Sequence, residues 1–336
     1  MSWRDLFGHG GPAPMSSEGH LPGLDGATGW LNSPPLSATD VEGKVVLVDF
    51  WTYTCINWLR TLSYVRAWAE KYRDRGLVTV GVHTPEFPFE QDVDNIRQAV
   101  KDMGIEYPIA IDSDYRVWRA FSNHYWPAVY LADAQGNIRH HQFGEGRYEE
   151  CERVIQRLLR EAGIEGVDDA LVSVADDGFE AQADWTNLAS PETYLGYEQT
   201  QNFASPGGVA FDESRTYVAP DSLRLNQWAL SGDWTIESGA SVLNQANGAI
   251  AFRFHARDVN LVLRRREQET PVRFQALVDG EPPGDAHGLD VDEGGEGTLT
   301  QPRLYQLARE RGSIIDRTFE ITFLAPGVEA YVFTFG

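Results

Sequence analysis

Two cysteines, Cys55 and Cys151, are the only thiols in a chain of 336 residues. Cys55 follows the apolar, β-branched run Lys44–Phe50 and a short polar turn, Thr52–Thr54, and opens a helical pattern that runs to Arg73. A cysteine at such a strand-to-helix junction meets helix N–H groups and the positive end of the helix dipole, which favour the thiolate. That chemistry is nucleophilic: attack on a disulfide, peroxide or persulfide sulfur or oxygen. A small residue kept for packing is the plainer reading of the same position. Cys151 lies among Glu149, Glu150 and Glu152, which disfavour its thiolate.

Other groups have weaker claims. His83 and Glu86 fall after the second strand, at the strand end where α/β sites form, and are candidates to polarise or orient a substrate. A hydrogen-bonded loop histidine is the bland alternative. His140-His141 has no neighbouring cysteine and no acidic partner in register, so no metal site is expected there. Asp290, Asp292, Glu293 and Glu296 miss the spacing of a calcium loop and read as a solvated acidic loop. Trp185, Tyr194, Tyr197, Trp228 and Trp234 offer faces for sugar rings, although aromatics in a β-sandwich usually belong to the core. No cofactor is expected.

The elements around Cys55 alternate strand and helix. Strands are expected over Lys44–Trp51, Leu77–Val82, Tyr107–Ile111, Pro127–Asp133 and Asn137–Phe143, and helices over Cys55–Arg73, Phe89–Met103, Tyr115–Ser122 and Arg147–Ala162. This βαβαβ order with a terminal hairpin and helix gives an α/β sandwich. Residues 1–28 read as an irregular arm, and residues 165–184 as an acidic linker containing Asp168, Asp169, Asp176, Asp177 and Glu180. Beyond it, short alternating strands (Ile250–Ala256, Val259–Arg264, Val272–Val278, Phe319–Phe323 and Ala330–Phe335) read as a β-sandwich or jelly roll over 185–336.

Val48-Asp-Phe-Trp51 followed by Cys55 resembles the active-site entry of thioredoxin-like proteins, whose helix opens on Cys-x-x-Cys. Here the motif is Cys55-Ile-Asn-Trp58, so Trp58 stands in the second-cysteine slot. Gly81-Val-His-Thr-Pro-Glu86, Tyr125-Trp-Pro-Ala128, Phe143-Gly-Glu-Gly146 and Pro191-Glu-Thr-Tyr-Leu-Gly196 extend the resemblance to the soluble C-terminal portion of DipZ-type thiol–disulfide proteins. That portion pairs a TlpA-like thioredoxin domain, here 29–164, with a carbohydrate-binding-module-like β-sandwich, here 185–336. The resemblance implies a buried proton-transferring carboxylate at Asp49. It also implies a cis Trp126–Pro127 bond beside the cysteine, presenting backbone for substrate docking, and a docking surface that includes Trp51 and Trp126. Trp58 has several readings: a shield for Cys55, a flat substrate contact, a mark of lost redox function, or a UGA codon read as tryptophan in place of selenocysteine.

A single thiol cannot close an internal disulfide, so the expected activity is that of a monothiol oxidoreductase or thiol peroxidase. It would be resolved by an external thiol, either a low-molecular-weight one or a partner redoxin. The other class is a non-enzymatic docking platform with a ligand- or protein-binding sandwich, carbohydrate among its ligands. A net charge of −22, with only Lys44, Lys71 and Lys101 as lysines, argues against nucleic acid and anionic membranes. Met1–Leu24 lacks a secretory pattern, and no stretch has the length of a membrane span, so a cytoplasmic location is expected.

Overall fold

The computed structural model describes residues 17–175, 177–266 and 270–336; residues 1–16 of the expected arm and Asp176 of the expected linker lie outside them. Its elements begin with β1 (Gly19–His20), β2 (Gly29–Leu31), α1 (Ala38–Val41), β3 (Val45–Trp51), α2 (Ile56–Tyr72) and β4 (Leu77–His83). They continue with α3 (Val93–Asp102), β5 (Ile109–Ile111), α4 (Arg116–Ala120), β6 (Ala128–Ala132), β7 (Asn137–Phe143) and α5 (Tyr148–Glu161). Two compact units emerge. The first comprises the described part of Met1–Thr52 with Ser63–Pro85 and Met103–Val174. The second comprises Tyr53–Leu62, Glu86–Asp102 and the described parts of Ala175–Gly336.

The first unit holds one seven-stranded sheet in the order β1-β7-β6-β3-β4-β5-β2. β3 is central, parallel to β4 and antiparallel to β6. All seven of its residues are buried, which explains a nearly continuous apolar run, interrupted only by Asp49, in place of alternation. The arm is less irregular than expected. Gly19 and His20 pair with Ile138 and Asn137, and Gly29–Leu31 pairs with β5, so both sheet edges are covered by short strands.

α5 buries Cys151, Val154, Ile155, Leu158 and Leu159. Glu152 turns inward with them and accepts hydrogen bonds from Tyr72 Oη (2.7 Å), Lys71 Nζ (2.9 Å), Trp68 Nε1 (3.3 Å) and the Val172 amide (2.8 Å). The start of the expected linker is therefore tethered. Arg160 binds the Val167 and Asp168 carbonyls and the Asp169 carboxylate, and Gln156 binds the Ala170 carbonyl.

The second unit carries β8 (Thr193–Tyr194), β9 (Ser214–Tyr217), β10 (Trp228–Ile236), β11 (Ser241–Leu243), β12 (Gly248–Phe254) and β13 (Asp258–Arg265). It continues with β14 (Val272–Val278), β15 (Glu296–Leu299), β16 (Arg303–Arg309), β17 (Arg317–Phe323) and β18 (Val328–Phe335). These eleven strands form one curled antiparallel sheet, β15-β14-β17-β12-β10-β11-β18-β13-β16, with β8 on β18 and β9 on β10. β10 is the corner. Trp228–Ser231 pairs with β12, whereas Gly232–Ile236 pairs with β9 and β11. At the change of partner Gly232 has φ +97°, and a Cβ there would lie 2.8 Å from Gly248 Cα. Only glycine suits both conditions.

The two halves of this sheet close on a shared core in which Phe252 and Phe319 meet Phe333 at 5.2 and 6.1 Å. Trp228 and Trp234 are fully buried in it and present no face to a sugar ring, whereas Trp185 is 61% exposed. Among the described residues no helix is long and apolar enough to cross a membrane.

Candidate active site

In the second unit Cys55 immediately precedes α2 and is half-buried; it is a free thiol. Its surroundings differ from the thiolate-favouring site expected from sequence. Burial, followed by the charges of Glu86 and Glu192, pushes the thiol well above its ordinary pKa. The backbone N–H groups of Trp58 and Asn57 pull in the opposite direction and are outweighed. Trp58 itself is fully buried, so it offers no flat surface to a substrate.

Glu90, on the 3₁₀ turn Pro88–Gln91, organises the loop beside the cysteine. Its buried carboxylate accepts Thr54 Oγ1 at 2.6 Å through one oxygen, and the Glu86 and Phe87 amides at 2.6 and 2.9 Å through the other. This turn delays the helix expected from Phe89, which starts at Val93. The half-buried Glu86 side chain accepts a 2.5 Å hydrogen bond from Tyr194 Oη. Burial and the charges of Glu192 and Glu90 push the Glu86 carboxyl up to about 8. No sequence pattern marks Thr54, Glu90, Glu192 or Tyr194 as members of a thiol site. In sequence Tyr194 reads as one of the aromatics with a face for sugar, within the Pro191–Gly196 stretch that carries the resemblance.

The first unit holds the remaining candidates. Asp49 is fully buried in β3; burial, followed by the Asp49 charge, raises the pKa of the Tyr107 phenol. His83 ends β4 inside the sheet rather than lying in a loop; it packs edge-on against Trp51 at 4.8 Å. Both side chains are fully buried, so neither Trp51 nor His83 forms a docking surface. Burial pulls the His83 pKa down to about 3, which keeps the ring neutral.

The Trp126–Pro127 bond is cis. Trp126 is half-buried, donates Nε1 to the Thr84 carbonyl at 3.1 Å and lies 4.3 Å from the Trp118 ring. The Pro127 carbonyl accepts the Gly144 amide, which anchors the start of β6 to the end of β7.

His140-His141 has nearer partners than its sequence neighbours suggested, because α5 packs across the hairpin. Cys151 Sγ lies 3.6 Å from His140 Nε2, and His141 Nδ1 lies 2.5 Å from Glu18. Cys151 is buried, and its thiol is pushed up to about 12 by desolvation and then by Glu150. Among the described residues no group of His, Cys, Asp and Glu is arranged to hold a metal. Two of the acids of the loop pair with arginines on other strands: Asp290 with Arg303 at 2.5 Å and Glu296 with Arg273 at 2.6 Å.

A central β3 followed by a helix that opens on a cysteine, with a cis-proline ahead of β6, defines a thioredoxin-like fold, and a large antiparallel β-sheet region follows it. The comparisons agree. Residues 29–141 match the AhpC/TSA family, and residues 190–336 match the family described as thioredoxin like C-terminal domain. Protein DipZ of Mycobacterium tuberculosis is 39% identical over 278 residues, covering 81% of this chain and 38% of its own length. This chain therefore spans about two fifths of that relative. Thiol-disulfide oxidoreductase YkuV of Bacillus subtilis is 32% identical over 141 residues, covering 42% of this chain and 95% of YkuV. The solution structure of a thioredoxin-like protein in the oxidized form is 32% identical, with TM-score 0.40, over 43% of this chain and 96% of that one. The chain belongs to the thioredoxin-like thiol-disulfide oxidoreductase family.

Proposed function

We propose that this protein is a one-thiol oxidoreductase in which Cys55 is the nucleophile. The supporting observation is the placement of the two sulfurs: Cys55 is half-buried at the opening of α2, whereas Cys151 is buried in α5. Cys55–SH attacks a disulfide RSSR, forming the Cys55–S–SR mixed disulfide and releasing RSH as the substrate S–S bond breaks. A low-molecular-weight thiol or partner redoxin then attacks that mixed disulfide and returns Cys55–SH. RSSR is thereby reduced at the expense of the external thiol. Hydrogen peroxide would oxidise the same thiol to a sulfenic acid, one peroxide oxygen passing to sulfur and the other leaving as water. A cytoplasmic setting supplies such thiols, and cell fractionation checks that placement.

The raised Cys55 pKa favours a second reading, a docking platform whose redox centre is silent. One experiment separates the two. Reduced protein is treated with one equivalent of glutathione disulfide or hydrogen peroxide, then analysed by intact mass and tryptic mapping. Modification confined to Cys55, absent in Cys55→Ser, supports the enzyme. An unmodified Cys55 supports the platform.

A further inference from the structure

The Glu90 carboxylate ties Thr54, the residue before Cys55, and the backbone of Glu86 to a single anchor. Tyr194 Oη then fixes one oxygen of the Glu86 side chain. Cys55 and Glu86 are thus held as neighbours: the Glu86 charge acts on the Cys55 thiol, and the Glu192 charge acts on both. A thiol so placed cannot release its proton to water without building a second negative charge among carboxyls.

We propose that Glu86, oriented by Tyr194, carries the proton of the Cys55 reaction. This rests on the reading of Cys55 as nucleophile. In the attacking step the Glu86 carboxylate takes the thiol proton as the Cys55 Sγ–S bond forms. As the substrate S–S bond breaks, the electron pair leaves on the departing sulfur and Glu86 returns the proton to it. No oxidant or reductant beyond the substrate disulfide is consumed, and Glu86 ends as it began. A carboxyl titrating near neutral pH is suited to both halves of this transfer. Substrates with a poorly acidic leaving thiol gain most from it.

The test compares two neutral disulfides on the full chain by stopped-flow and intact mass. Hydroxyethyl disulfide releases an aliphatic thiol that needs a proton; 2,2′-dithiodipyridine releases a thiopyridone that needs none from the protein. In Glu86→Gln the aliphatic reaction slows by about tenfold or more, and the inflection near the Glu86 pKa disappears from its pH profile. The aromatic reaction slows much less, because it uses Glu86 only to take the thiol proton and needs none returned to its leaving group. Glu86→Asp recovers part of the aliphatic rate, and Tyr194→Phe moves the inflection. Acceleration of both reactions in Glu86→Gln would mean that Glu86 acts only through its charge and would overturn the proposal. An equal slowing of both would assign it a packing role and also overturn it. A native Cys55 that reacts with neither disulfide would overturn the reading of Cys55 itself, and the proposal with it.

Discussion

Glu90 gathers a side-chain hydroxyl and two amides on one fully buried carboxylate. Truncation strands those donors away from water, so Glu90→Ala is expected to cost about 3 kcal/mol, read as a lower urea midpoint. Thr54→Val removes one donor and is expected to cost about 1 kcal/mol. His83 makes a separate, pH-dependent contribution. Its folded pKa of about 3 lies below the unfolded value of 6.5. Between those values the unfolded chain binds the extra proton, so stability from this residue is complete above pH 6.5 and is lost as pH falls towards 3. Urea unfolding of the native chain should therefore weaken by up to about 1.4 kcal/mol per pH unit in that window, and His83→Asn should flatten the slope. The Cys55 position was legible from a strand, a turn and a helical pattern. Its raised pKa was not, because Glu86 and Tyr194 are 108 residues apart and only the fold brings them together.

At the scale of elements, β10 is where sequence reading and structure part most clearly. No strand is expected over Trp228–Ile236, yet Ser231-Gly232-Asp233 is the bend at which one long strand there changes partners. β16, Arg303–Arg309, was likewise not anticipated: five of its seven residues are buried, so polar Gln306 sits inside where alternation would place it outside. By contrast, Val272–Val278 and Asn137–Phe143 have the expected bounds, because one clear face of each is buried. Gly232→Ala combines a left-handed φ with a backbone clash and is expected to lower stability by about 2 kcal/mol or more. Thermal unfolding followed by tryptophan fluorescence reads that loss, since Trp228 and Trp234 lie on the same strand.

At the scale of the whole molecule, the net charge of −22 sets behaviour that no single site does. Self-repulsion weakens as salt screens it, so Tm is expected to rise between about 10 and 200 mM sodium chloride. The same charge predicts no gel shift of duplex DNA at any of these ionic strengths. The α/β and all-β regions were separable in sequence because their hydrophobic periods differ. Their boundary was not, because the acidic stretch after Gly163 carries few apolar residues, and only the structure shows Arg160 and Glu152 holding it.

A strand that serves both halves of a curled sheet also governs how that sheet comes apart. Neither half can open alone without stripping β10 of one set of ladder partners, so amide exchange across Trp228–Ser231 and Trp234–Ile236 should be governed by a single opening free energy. Such a spine makes the β region one cooperative folding unit. Partial opening, the usual route by which exposed strand edges seed aggregation, is thereby suppressed.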